Sequence, residues 1–305
     1  MNSKAKYFIA GASSSIIWGF FSISLRSIKE HPSMQILVFR VLCSLIITLI
    51  ISLVIRRNIF KRDVEFIESL EKKERNQLLL RILYSTLFVT ANWFSFIYVI
   101  NHISVQAGAF AYMVCPIITA VFGYIFLKEK LSKIKWASIV LCFASIVFLS
   151  LGFIKEVLYS VEIAVLYAAY LMLQKRIAGI DKMNVLLVQL LISSVIIIPF
   201  AGIEQVAFTT DINFWIQIVV ISIVFTIVPL FLSLYALVGM PSSTMGILIY
   251  LNPIVAFLVA FFYFDEIQIL QKMIAYFILL IAVILFNYSY LRGMFEVKIK
   301  AKYVD

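Results

Sequence analysis

Residues 98–129 read YVINHISVQAGAFAYMVCPIITAVFGYIFLKE, and residues 235–266 read YALVGMPSSTMGILIYLNPIVAFLVAFFYFDE. Laid side by side without a gap, Tyr98 meets Tyr235, Pro116 meets Pro253 and Glu129 meets Glu266, at a constant offset of 137. The same offset pairs Phe88 with Phe225 and Phe94 with Phe231. Few identities are involved, yet an aromatic, a mid-segment proline and a terminal glutamate keep their places along matching apolar runs. The pattern is that of an internal duplication.

Working outward, the surroundings are lipid. Of the 305 residues, 63% are hydrophobic and 14% charged, with a mean hydropathy of +1.04. A water-soluble fold of this size could not hide so much apolar surface. The formal charge of +10 would suit nucleic acid, but the basic residues sit in short segments between apolar runs, where membrane orientation accounts for them. Cys43, Cys115 and Cys142 all fall inside such runs, which predicts free, packed thiols rather than disulfides or a metal site.

Ten apolar runs are visible, near 7–27, 34–55, 79–100, 105–127, 136–153, 158–174, 185–203, 214–237, 243–264 and 272–290. Most hold about 20 residues, enough at 1.5 Å per residue to cross about 30 Å of hydrocarbon as a helix. Only helices satisfy their own backbone there, so the expected fold is an all-α integral membrane protein. The first run follows Lys4 and Lys6 as a signal peptide would. It is nevertheless long, and at an offset of 149 Trp18 meets Tyr167 and Arg26 meets Lys175; a removable leader has no reason to recur in mid-chain.

With the N-terminus inside, 20 Lys and Arg fall in internal segments, against Arg26, Lys29, Lys155 and Lys272 outside. That bias predicts that both termini are cytoplasmic. Five helices per copy is an odd number, so the second copy enters from the opposite side. The expected organisation is an inverted pair of five-helix repeats, residues 1–155 and 156–305, the second ending in a basic tail. Between runs two and three, Phe60, Val64, Ile67 and Leu70 recur at helical intervals, with Glu68–Lys72 and Glu71–Arg75 spaced as surface pairs. A short helix at the inner membrane face is expected.

Inverted repeats of broken helices bracket sites near the bilayer centre. Pro116 and Pro253 fall near the middle of runs four and nine, where each would leave the carbonyl four residues earlier (Tyr112 and Ile249) without a helical donor. They are hinge candidates, or static bends. Trp18, Trp93 and Tyr167 lie at mid-run, away from the interfaces that indole rings favour and where Trp136 and Trp215 are expected. Asn92 needs a partner at that depth, and its counterpart is the helix breaker Pro229. Tyr250 and Asn252, just before Pro253, are further cavity candidates. Arg40, about two turns from the outer end of run two, is costly inside lipid; it either faces a polar cavity or snorkels to the headgroups. Its counterpart Gln189 keeps polarity without charge. Glu129 and Glu266 end runs four and nine at opposite faces, either as alternating gates or as ordinary solvated charges. No Asp or Glu sits at mid-run, so proton coupling would need peripheral groups such as Glu162 or His102. P-loop, H-E-x-x-H and G-x-S-x-G patterns are absent, and neither an enzyme nor a cofactor is expected.

W-G-F-F at 18–21, F-R-V at 39–41, N-W-F-S-F-I-Y-V-I-N-H at 92–102, F-L-K-E-K-L at 126–131 and S-T-M-G-I-L-I-Y-L-N-P at 243–253 together resemble the EamA-type transporters of the drug/metabolite transporter superfamily, and within it the RarD branch. The resemblance spans nearly the whole chain. It departs in the second copy, where Tyr167 and Ala168 replace the W-G of the first helix. It implies a basket of ten helices in a bacterial cytoplasmic (inner) membrane, moving small metabolites or drugs by alternating access, often outward. A facilitative carrier, an uptake transporter and a membrane scaffold or sensor are the competing readings. The expected partners are a small-molecule substrate and membrane lipid, with no nucleic acid, for a monomer or weak homodimer.

Overall fold

Serine and aspartate set where several of the helices begin. In the computed structural model, which describes residues 3–128, 130–239, 248–267 and 269–288, Ser104 accepts a hydrogen bond from the Ala107 amide at the head of one helix. Asp181 takes the Met183 amide and Asp211 the Asn213 amide at the heads of two others. Each side chain satisfies a backbone donor that an apolar helix start would leave bare.

The helices are α1 (Ser3–Gly19), α2 (Phe21–Arg26), α3 (Ser33–Ile50), α4 (Arg57–Ser69), α5 (Lys72–His102), α6 (Val105–Leu127), α7 (Lys133–Gln174), α8 (Lys182–Ile203), α9 (Ile212–Ser222), α10 (Val228–Gly239), α11 (Leu251–Phe262) and α12 (Leu270–Phe286). Single π-helical turns join α3 to the chain at Ile51–Ile55 and α9 to α10 at Ile223–Ile227. Among the described residues there is no strand. Among the described residues seven spans are long and apolar enough to cross a membrane, and α11 and α12 are shorter apolar helices; the chain is built as a multi-pass membrane protein.

Predicted runs five and six are the two arms of α7, whose 42 residues would reach about 63 Å if straight, twice the hydrocarbon thickness. The helix turns instead at Phe153, where φ −133° and ψ 45° leave the helical range. Run one divides into α1 and α2 at Phe20. There Gly19 lets α1 press onto α11, since a Cβ at that position would collide with Val255.

α1 packs on α10 and α11, α3 on α8 and α9, α5 on α7 and α8, and α6 on α7 and α11, while α12 covers α7. One apolar core gathers around Phe21, Leu25, Phe96, Ile97 and Phe214. A second gathers around Phe110, Met113, Leu149 and Leu279.

Three expectations change. The expected amphipathic helix exists as α4, but Val64 is 37% exposed while Asp63 is buried. Asp63 accepts hydrogen bonds from the Asp181 amide and the Asn184 side chain, both at 2.8 Å. Asp181 in turn holds Arg56 through two bonds of 2.8 and 3.0 Å. Phe60 is half-buried and Ile67 and Leu70 pack inward as the apolar spacing predicts, while Val64 does not and Asp63, a carboxylate with partners of its own, is buried in that face. Glu68 and Lys72 lie on separate helices, α4 and α5, so that pair has no common helix face. Pro253, expected at mid-helix, is the third residue of α11, where helical amides have no internal partner to lose. The Ile249 carbonyl, expected to be bare, accepts from the Asn252 amide at 3.1 Å. Glu129 lies outside the described residues.

Candidate functional site

Proline chemistry begins the site. Pro229, second residue of α10, has no amide hydrogen, so the carbonyl of Phe225 four residues earlier loses its helical donor. The indole of Trp18, on α1, donates to that carbonyl at 3.0 Å. A π-helical turn at Ile223–Ile227 accompanies the break, and inside it the Thr226 hydroxyl donates to the Ile221 carbonyl at 3.0 Å. The backbone irregularity of α9–α10 is therefore answered by a ring from the first helix.

Thr226 also meets Arg40, whose Nη2 lies 3.4 Å from its hydroxyl oxygen. Arg40 is 6% exposed, so it does not snorkel. Its guanidinium lies 5.0 Å from the centre of the Phe21 ring and 5.1 Å from that of Trp93, within cation–π range of both. Nη1 is buried without a hydrogen-bond partner, and among the described residues no carboxylate pairs with Arg40. Removing a charge from water without pairing it is costly, and an unpaired donor at such a site calls for an explanation.

Beside Arg40 is a cavity of about 120 Å³. Trp18, Arg40, Trp93, Tyr112, Tyr167 and Asn252, all candidates from the sequence, line it, and Phe21, Phe96, Phe225 and Ile249 complete the wall. Tyr112 and Tyr167 meet edge-on with centres 5.4 Å apart. The wall is drawn from α1, α2, α3, α5, α6, the second arm of α7, the π turn and α11. It joins both halves of the chain.

The other candidates lie elsewhere. Asn92, fully buried, donates to the Ile163 carbonyl at 2.9 Å and ties α5 to α7. Gln189 donates to Ser85 at 2.9 Å and accepts from Gln174 at 3.2 Å, binding α8 to α5 and α7. Tyr250 packs in the second core. Pro116 lies inside α6, one turn past Tyr112.

Towards Arg26 the cavity closes. Phe21 stacks on Phe96 and on Phe225 at 5.8 and 5.4 Å. Beyond that stack the space shrinks to about 10 Å³ between Trp18, Ser22, Ile100, Val105 and Ala256, room for about one water. Past it, the Arg26 guanidinium donates to the Ile100 carbonyl at 2.7 Å and to Glu266 at 2.9 Å. Glu266 also accepts the Val105 and Gln106 amides at 2.7 and 3.1 Å, which places a carboxylate on the positive end of α6. One acidic side chain thus clasps α2 and the start of α6. Ile100 is seven residues from Trp93 and four from Phe96 along α5, so the clasp stands about 10 Å from Trp93 and about 6 Å from the nearest wall residue on that helix.

Sequence reading offered Glu266 as a gate but missed its partner Arg26 and the aromatic closure. Phe21 and Phe96 lay inside quoted motifs, but an aromatic in an apolar run carries no mark of which face it occupies. Arg26 and Glu266 are 240 residues apart, and no local spacing joins them.

The EamA-like transporter family model matches residues 5–151 and again 154–288. An uncharacterized transporter of Bacillus subtilis, YojE, is 24% identical over 280 residues, 91% of this chain and 92% of that protein. Protein RarD of Escherichia coli is 22% identical, over 88% of this chain and 90% of its own length. A solved crystal structure superimposes with a TM-score of 0.65 at 13% identity, covering 94% of this chain and 99% of that one, which shows a shared fold. Matched twice by one family model and along most of its length by RarD proteins, the chain is a membrane transporter belonging to the EamA-like transporter family, as a RarD-like member.

Proposed function

We propose that the chain is a secondary transporter that moves small metabolites or drugs across the bacterial cytoplasmic membrane by alternating access, in the outward direction. In this reading the helices make ten crossings in two inverted five-helix units, with both termini cytoplasmic and the Arg40 cavity as the substrate site. The supporting observation is a charged, aromatic-walled cavity built by both halves and sealed towards one end by the Phe21–Phe96–Phe225 stack and the Arg26–Glu266 clasp. The duplication supplies the second gate. Arg26 corresponds to Lys175 and Glu266 to Glu129, so an equivalent clasp would close the opposite face when this one opens. A rise in one state's stability must come from differential contacts, which the Arg26–Glu266 clasp supplies in this arrangement and its counterpart would supply in the other.

Site-directed labelling tests the reading. In a background with Cys43, Cys115 and Cys142 replaced by alanine, cysteines at Trp93 and Asn252 are probed with a membrane-impermeant maleimide from each side of oriented vesicles. Reaction from one side in the resting protein, and from the other after Glu266→Gln, is expected. No reaction from either side in either background would overturn it.

A further inference from the structure

Resting on the cavity's role as substrate site, we infer that its substrate is a small monocarboxylate carrying one flat apolar ring. Three features of the cavity lead there. The first is charge. Arg40 Nη1 is buried without a partner, Nη2 makes a long contact of 3.4 Å to a hydroxyl, and among the described residues no Asp or Glu stands in the wall. The other polar groups of the wall, the Asn252 carboxamide and the Tyr112 and Tyr167 hydroxyls, are neutral, and the Trp18 indole N–H is already committed to the Phe225 carbonyl. A carboxylate is the group that a planar guanidinium binds through paired, charge-assisted hydrogen bonds.

The second feature is the wall. Phe21 and Trp93 both lie against the guanidinium, and Phe96, Tyr112 and Tyr167 carry the aromatic surface onward. Such surfaces receive a ring edge-on or offset-stacked. The third is size. About 120 Å³ is close to the cavity of about 150 Å³ that takes up benzene in an engineered protein, so the apolar body is one ring rather than two.

The same features reject other classes. A cation meets Arg40 with like charge, and the aromatic faces that could hold it are shared with the guanidinium. An α-amino acid brings an ammonium for which the wall has no carboxylate. A neutral ring leaves Nη1 as bare as the empty cavity does. Binding of a carboxylate makes the site electrically neutral, which lowers the cost of closing it away from water on both sides.

Calorimetric titration of the purified protein in nanodiscs, at fixed ionic strength, tests this with benzoate, benzamide, L-phenylalanine and benzylamine. Benzoate is expected to bind saturably, benzamide and L-phenylalanine at least about ten-fold more weakly, and benzylamine not at all. Arg40→Gln should erase the preference for benzoate over benzamide, while Arg40→Lys, keeping the charge without the fork, should retain part of it. A thermal melt of each variant shows that the comparison is between folded proteins. Equal binding of benzoate and benzamide, binding of neither, or a preference surviving Arg40→Gln would overturn the inference. The labelling experiment separates the two levels. Cysteines that react with no benzoate preference remove the substrate class alone, whereas unreactive cysteines remove the transport reading whatever binds.

Discussion

Arg40 shows what a single buried charge does in this molecule. It lies between two aromatic rings with one nitrogen unpartnered, so the ring contacts leave part of the cost of its burial unmet. Exchanging buried ionic groups for apolar ones of similar size is often stabilising by about 1–4 kcal/mol. Arg40→Met is therefore expected to raise the unfolding temperature in detergent while lowering flux in proteoliposomes at least about ten-fold. A variant that loses stability and flux together would return Arg40 to a structural role. Trp18 offers a sharper pairwise test. Its bond to the Phe225 carbonyl exists because Pro229 cannot supply a helical donor. Trp18→Phe should cost about 1 kcal/mol, and less in a Pro229→Ala background, where the carbonyl regains an amide. Unfolding of the two single variants and the double variant measures that coupling directly.

At the scale of elements, the clasp on α6 is the unit to perturb. Glu266 holds two amides at the head of the helix as well as Arg26. Glu266→Gln keeps a hydrogen-bonding group but removes the charge that both the ion pair and the helix end favour, a loss of about 0.5–2 kcal/mol for the closed arrangement. Faster labelling of a cysteine at Trp93 from the face bearing Arg26 is the expected consequence. A second link on the same side of the molecule joins the α2–α3 turn to α9 and responds to pH. His31 lies 3.0 Å from an Asp211 carboxylate oxygen, and that hydrogen bond is the main cause holding the Asp211 carboxyl below its ordinary value of 3.8. A depressed carboxylate stabilises the fold above the unfolded value, and that contribution is lost as pH falls through the lower, folded value. Melting temperatures taken between about pH 5 and 3 should fall more steeply for the native chain than for Asp211→Asn, which keeps the cap on Asn213 but carries no charge. Parallel curves would show that the link contributes nothing.

Over the whole molecule, reporter fusions at both ends should register the cytoplasmic side, as 20 basic residues against 4 require; ends on opposite sides would break the inverted pairing and the two-gate reading with it. Much of the architecture was legible because lipid enforces a simple grammar: long apolar runs must be helices, and the offset of 137 exposes the duplication. The cavity candidates were legible in part. Trp18, Arg40 and Trp93 stood out because polar or indole groups at mid-run are expensive, and cost at a position is a property of sequence and depth alone. Asn92 and Gln189 gave the same signal but spend their hydrogen bonds between helices, a difference that depends on which face each residue presents to its neighbours. Pro253 was expected at mid-helix because a helix start displaced by a turn leaves no mark in an apolar run, and the burial of Asp63 gave no signal, because an acidic side chain with partners inside reads like a solvated one. The amino-acid sequence by itself determined the solvent, the helices and their doubling. Only the tertiary structure decided which polar groups find each other and which, like Arg40, are left facing an opening, because pairing across hundreds of residues is fixed by how helices pack and not by the order in which they are written.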